Sequence, residues 1–168
     1  DLRPYCAFRN VPIYLSPDVN SDLHRRLDYC FREHPYPGVP SFEMHEIDGR
    51  PFLINGLKIE PIRVLHGKLP IYGYRIGRFA YITDASHIDD EEKDKLLGLD
   101  CLIINALRHR EHFAHFSVKE ALELIAEVKP KRAYLTHICH EMGLHAEEDV
   151  RLPENVHLAY DGLTIDIK

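Results

Sequence analysis

Apolar and polar positions change their period twice along the 168-residue chain. Val11 to Leu15 reads as a short strand. Ser16-Pro17-Asp18 then supplies an N-cap and a proline for a first turn, predicting a helix to about Phe31 whose Val19, Leu23, Leu27 and Cys30 recur at helical spacing. A turn-rich stretch runs from His34 to Pro40. From Ser41 to Asp84 the pattern becomes short β runs: Phe42 to Ile47, Pro51 to Ile54, Leu57 to Leu65, Ile71 to Ile76 and Phe79 to Thr83. Asp48-Gly49 and Asn55-Gly56 read as hairpin turns between them, which predicts an antiparallel meander.

After Asp84 strands and helices alternate. The pattern predicts an acidic helix from Asp89 to Leu97, a buried strand from Cys101 to Ala106, a helix from Val118 to Val128 and a strand from Ala133 to Thr136. A final strand pair, Val156 to Tyr160 and Leu163 to Ile167, is expected around Asp161-Gly162. No internal repeat, low-complexity tract or linker interrupts the series, so residues 1–168 read as one domain of mixed, layered α/β class.

Composition narrows the function. The chain is 45% hydrophobic and 29% charged, the balance of a globular domain. Lys and Arg total 21 against 27 Asp and Glu, a net charge of −6, which argues against binding through phosphate neutralisation. No apolar run approaches the roughly 20 residues of a membrane span, and Asp1-Leu2-Arg3-Pro4 opens no signal peptide, so a cytoplasmic location is expected. Cys6, Cys30, Cys101 and Cys139 form no C-x-x-C pair, and Cys30 and Cys101 lie in apolar stretches that read as core; thiol chemistry is not signalled. Histidine is in excess: six of the 12 fall between 109 and 145, and imidazole is a common metal ligand and proton carrier.

Polar residues also stand at the ends of buried strands. His66 follows Ile62-Arg63-Val64-Leu65, Asp84 follows Ala80-Tyr81-Ile82-Thr83, and His137 follows Ala133-Tyr134-Leu135-Thr136. Any one such histidine reads more readily as a hydrogen-bonded, partly buried side chain. Three strands ending in His, Asp and His point to a metal, because imidazole nitrogens suit zinc, manganese or iron and a carboxylate has two oxygens with which to bridge two ions.

Five segments then carry a family resemblance. They are Pro61 to Gly67; Gly73-Tyr74-Arg75-Ile76 with Ala80 to Asp84; His112-Phe113-Ala114-His115-Phe116-Ser117; Tyr134 to His140; and Leu158-Ala159-Tyr160-Asp161-Gly162. In this order they resemble the later motifs of the metallo-β-lactamase superfamily, in the branch of phosphoribosyl cyclic phosphate phosphodiesterase and ribonuclease Z. The family's His-x-His-x-Asp-His motif, which supplies four ligands of a two-metal site, occurs nowhere in the chain. Asp1-Leu2-Arg3-Pro4 resembles the segment that follows that motif. The resemblance therefore implies the C-terminal two-thirds of an αββα sandwich, inactive by itself. A naturally shortened, non-catalytic homologue is the other reading.

Carried over residue by residue, the resemblance implies two divalent ions, zinc or manganese. His66 would complete one ion's ligands, His137 the other's, and Asp84 would bridge both, with a hydroxide between the ions as nucleophile. His115 matches the histidine that contacts the scissile phosphate and helps protonate the leaving oxygen. His112, His140 and His145 fall where the family lines its pocket, although a structural role suits each at least as well as metal binding. Arg108, beside the strand end, is a candidate phosphate clamp or an ordinary packing arginine.

The substrate follows from an interval. Ribonuclease Z enzymes carry a tRNA-gripping arm between the residues corresponding to His66 and Asp84, and here that stretch is just long enough for two strands. With the net negative charge, this favours a small phosphodiester, such as a cyclic nucleotide or phosphoribosyl cyclic phosphate, over structured nucleic acid. No membrane partner is expected, and an unpaired sheet edge leaves a homodimer open. A binding or scaffold protein that kept the fold, and a metal-dependent hydrolase of another ester, remain as alternatives.

Overall fold

A computed structural model describes residues 3–6, 9–34, 36 and 38–167. Asp1 and Leu2, half of the segment likened to the region after the family's metal motif, lie outside the described residues. The chain divides into two compact units, Asp1–Arg50 and Pro51–Lys168.

The first unit contains α1 (Arg3–Cys6), β1 (Val11–Leu15), α2 (Pro17–Arg26) and β2 (Phe42–Glu46). The Ser16 hydroxyl accepts from the Val19 N–H at 3.4 Å, and Pro17 occupies the first turn, where its missing N–H costs nothing. The helix is shorter than its apolar spacing predicts. Leu27 leaves helical geometry (φ −116°, ψ 39°), its N–H closes on the Leu23 carbonyl, and a tighter 3₁₀ turn over Asp28–Cys30 follows. No residue of α2 is buried, and Cys30 is half-buried rather than core.

β2 corrects the meander. It pairs in parallel with β1, Val11 opposite Phe42 and Leu15 opposite Glu46. Parallel pairing needs a long crossover, which α2 and the turn-rich stretch after it provide. Asp48-Gly49 consequently closes no hairpin. The Asp48 carboxylate accepts from the Arg50 N–H, and Gly49 (φ +88°) redirects the chain.

In the second unit seven strands form one mixed sheet in sequence order: β3 (Phe52–Ile54), β4 (Leu57–His66), β5 (Leu69–Ile76), β6 (Phe79–Ile82), β7 (Cys101–Asn105), β8 (Arg132–Thr136) and β9 (Val156–Leu158). Pairing is antiparallel from β3 to β6 and parallel from β6 to β9. Asn55 and Gly56, both at positive φ, make the tight turn predicted between β3 and β4. The acidic helix is a single α-turn, α3 (Asp90–Lys93), continued as 3₁₀ over Asp94–Leu96. α4 (Val118–Val128) matches its predicted span, and α5 (His145–Glu148) is short. Leu163 to Ile167 form no strand. Gly162 (φ +88°) turns the chain, but the following segment is held by the Arg132 guanidinium on the Asp166 carbonyl (2.6 Å) instead of a ladder.

Register explains the core. Ile82, Ile104, Leu135 and Leu158 lie side by side across β6 to β9, and so do Ala80, Leu102, Ala133 and Val156. These two rows are buried together with Val118, Ala121, Leu124, Ile125 and Val128 of α4. On β5 Gly73 stands opposite Ile62. A methyl group there would meet Ile82 Cγ1 at 2.7 Å, so this position has no room for a side chain. The outcome is a rigid sheet whose parallel strands all end on one side.

Candidate metal centre

Asp84 follows β6 and His137 follows β8, one strand either side of β7. Both residues take left-handed backbone, φ +58° in each case, a conformation that costs a non-glycine residue free energy. The resulting bends bring the two side chains together: His137 Nε2 lies 3.3 Å from Asp84 Oδ1.

A hydrogen-bond hub fixes the Asp84 bend. Asn105, the last residue of β7, is fully buried. Its side-chain oxygen accepts from the Ala85 N–H (2.8 Å) and its amide donates to the Ala85 carbonyl (2.9 Å). The same carbonyl accepts from the Phe116 N–H at 2.7 Å, which draws in the segment carrying His115. Ser86 ties the other side. Its hydroxyl donates to the Leu65 carbonyl and accepts from the Gly67 N–H, both at 3.0 Å, bracketing His66 at the end of β4. Two consecutive residues thus set the relative positions of His66, Asp84 and His115.

These three residues present ligand atoms all within 4.8 Å of one another. The His115 ring lies 4.8 Å from that of His66, 4.7 Å from that of His137, and stacks on His112 at 5.0 Å. His115 Nδ1 is buried without a hydrogen-bond partner, an orphan that a group bound at the cluster would satisfy. Burial first, then the His137, His66 and His112 rings, lower the His115 pKa below the ordinary histidine value. A neutral imidazole is thereby favoured, the form that donates a lone pair. The donor set of nitrogens and a carboxylate fits zinc or manganese.

Other candidates lie elsewhere. Arg108 donates to Glu141 at 2.6 Å, a carboxylate it shares with Arg110, so its guanidinium is engaged. His145 Nε2 lies 3.3 Å from the Leu158 carbonyl and its ring meets the edge of Tyr160. His140 is exposed at the start of a 3₁₀ turn. His137 and Tyr160, with Asp161, line a cavity of about 280 Å³ beside the cluster. Sequence reasoning missed Asn105 and Ser86. The available signal for Asn105 was a single amide closing the apolar run Cys101-Leu102-Ile103-Ile104.

Comparison with known proteins places the chain. The family profile described as the beta-lactamase superfamily domain matches residues 1–138. A crystal structure of a diphosphatase from the PhnP family superposes with a TM-score of 0.90 at 33% identity, covering 100% of this chain and 65% of that one. Human tRNase Z, short form (TM-score 0.68, 18% identity, 96% of this chain and 68% of that one), shares the fold. So does zinc-bound PqqB from Methylobacterium extorquens (0.69, 17%, 99% and 66%). A Porphyromonas gingivalis protein named octanoyltransferase is 39% identical over 165 residues, 97% of this chain. The chain spans only 34% of that protein's length, so its name describes a chain most of which lies outside the match.

Proposed function

Because this chain belongs to the beta-lactamase superfamily of hydrolases, we propose that it forms part of a metal-dependent hydrolase acting at phosphorus on a small phosphodiester. One observation carries the reading: His66, Asp84 and His115 converge within 4.8 Å at strand ends, with His137 against Asp84. Bound divalent ions would supply positive charge at phosphoryl oxygens and lower the pKa of attacking water. Asp84, with one oxygen toward His137 and the other accepting from the Thr83 hydroxyl at 3.1 Å, would be the residue that holds both ions. His66 and His137 would hold one ion each. His115, between them, would contact the phosphate and, in its protonated form, hand a proton to the leaving oxygen.

Substrate size is argued from the interval between His66 and Asp84, which β5, β6 and their turns occupy completely. No room is left there for an arm that grips structured RNA, and the net charge of −6 favours a compact substrate. Three or four donor residues are too few for two ions that each take about four ligands, so residues 1–168 alone are expected to hold metal weakly and to be inactive. Hydrolysis of a phosphoanhydride is a second reading, favoured by the likeness to the diphosphatase.

The test uses the intact protein. It is expected to contain about two transition-metal ions per chain and to hydrolyse bis(p-nitrophenyl) phosphate, with Asp84→Ala abolishing both. Full activity in that variant overturns the proposal. Release of phosphate from a nucleoside diphosphate, without cleavage of the diester, selects the second reading.

A further inference from the structure

One of the two residues that separate the stacked His112 and His115 has no part in the chemistry above. His112 and His115 pair as an isolated antiparallel bridge, which leaves Phe113 and Ala114 as the tip of a tight turn. Ala114 is buried. Phe113 is 85% exposed, more than any other large apolar side chain among the described residues. A single exposed apolar residue is ordinary on a protein surface. This one has an aromatic neighbour: its ring lies 4.8 Å from the His112 ring at a tilt of 37°. It also lies against Gly67, where a methyl group would approach the ring to 3.6 Å. Gly67 (φ +62°) directly follows His66. The ring therefore lies beside the backbone that follows His66, and its neighbour in sequence, His112, stacks on His115.

We propose that Phe113 is a specificity-determining residue, a stacking platform for a planar ring on the substrate, and that the site therefore takes nucleobase-bearing phosphoesters in preference to those carrying only a sugar. The inference rests on the phosphorus-directed reading above and narrows it. An aromatic face offers dispersion and quadrupole contact to any base without reading its edges, and such stacking survives water access because it needs no buried polar partner. A sugar phosphate presents no π-face to this ring.

Calorimetric titration of the intact, metal-loaded protein with AMP and with ribose 5-phosphate tests this. Wild type is expected to bind AMP about tenfold more tightly than ribose 5-phosphate, a difference of about 1.4 kcal/mol. Phe113→Ala should remove that preference while leaving ribose 5-phosphate affinity and metal content unchanged, and Phe113→Trp should retain it. Equal affinities in wild type, no binding of AMP, or a preference that persists in Phe113→Ala each overturn the proposal. A lowered melting temperature in Phe113→Ala with the preference intact would instead make Phe113 a packing residue. Turnover of bis(p-nitrophenyl) phosphate is scored separately, so failure of the hydrolase reading is distinguishable from failure of the stacking platform.

Discussion

Asp84 and His137 each hold a left-handed backbone at the residue where a parallel strand ends. For an L-residue that conformation costs about 1–2 kcal/mol, and glycine adopts it freely. Stability alone would favour glycine at both positions. Under the proposed function, the ligand roles of the two side chains account for Asp and His standing where glycine would relieve the cost. Asp84→Gly is accordingly expected to lose metal while melting no lower than the metal-free parent, measured by metal analysis and thermal unfolding on the same preparations. Asn105 behaves in the opposite way. Its amide satisfies both backbone groups of Ala85 inside a fully buried site. Asn105→Ala leaves the N–H unpaired and should destabilise by about 2–3 kcal/mol. Denaturant titration reads that loss, and weakened metal retention should accompany it because the Asp84 bend is released.

The parallel strands are aligned by charge as well as by their apolar rows. Asp100, just before β7, is flanked by Lys131 Nζ at 2.8 Å and Arg78 Nε at 2.9 Å, which precede β8 and β6. The Lys131 ammonium first, opposed by burial and aided by the Arg78 guanidinium, holds the Asp100 carboxyl below the ordinary aspartate value. A depressed carboxyl contributes stability above its unfolded pKa and loses it as pH falls through its folded pKa. The melting temperature of wild type should therefore exceed that of Asp100→Asn at neutral pH, with the gap closing as the pH drops below the usual carboxylate range. A constant gap would assign the difference to packing. α4 is fixed by a different device. Ser117 and Glu120 form a reciprocal capping box directly after His115 and Phe116, so the helix start and the site share one segment.

Across the molecule, the seven-stranded sheet ends in two three-residue strands, β3 and β9. The opposite sheet face keeps an aromatic row, with Tyr81 beside Ile103, Ile103 beside Tyr134 and Tyr134 beside His157. No helix among the described residues is long and apolar enough to cross a membrane. Metal should stabilise the folded state by mass action, about 2.7 kcal/mol when free ion is a hundredfold above its dissociation constant. Chelation of the intact protein is expected to abolish phosphodiester hydrolysis and lower the melting temperature, and zinc or manganese to restore both. Activity that survives exhaustive chelation would remove metal from the mechanism.

The sequence by itself determined which residues could be ligands and which element each one ends. Short apolar runs located β4, β6, β7 and β8, the change of pattern after Asp84 located α4, and His66, Asp84 and His137 were legible as polar residues closing apolar runs. Tertiary structure decided the partners. A strand's pattern says which face is buried but not which neighbour it pairs with, and so β2 was assigned to the meander although it pairs with β1. The helix after Ser16 stopped early because backbone geometry at Leu27, not apolar spacing, ended it. Hydrogen bonds between Ala85 and Asn105 join residues 20 positions apart, and no local periodicity records such a pair. The placement of His115 among three other histidines, and of Phe113 beyond them, depends on that long-range hub and is therefore a property of the folded chain alone.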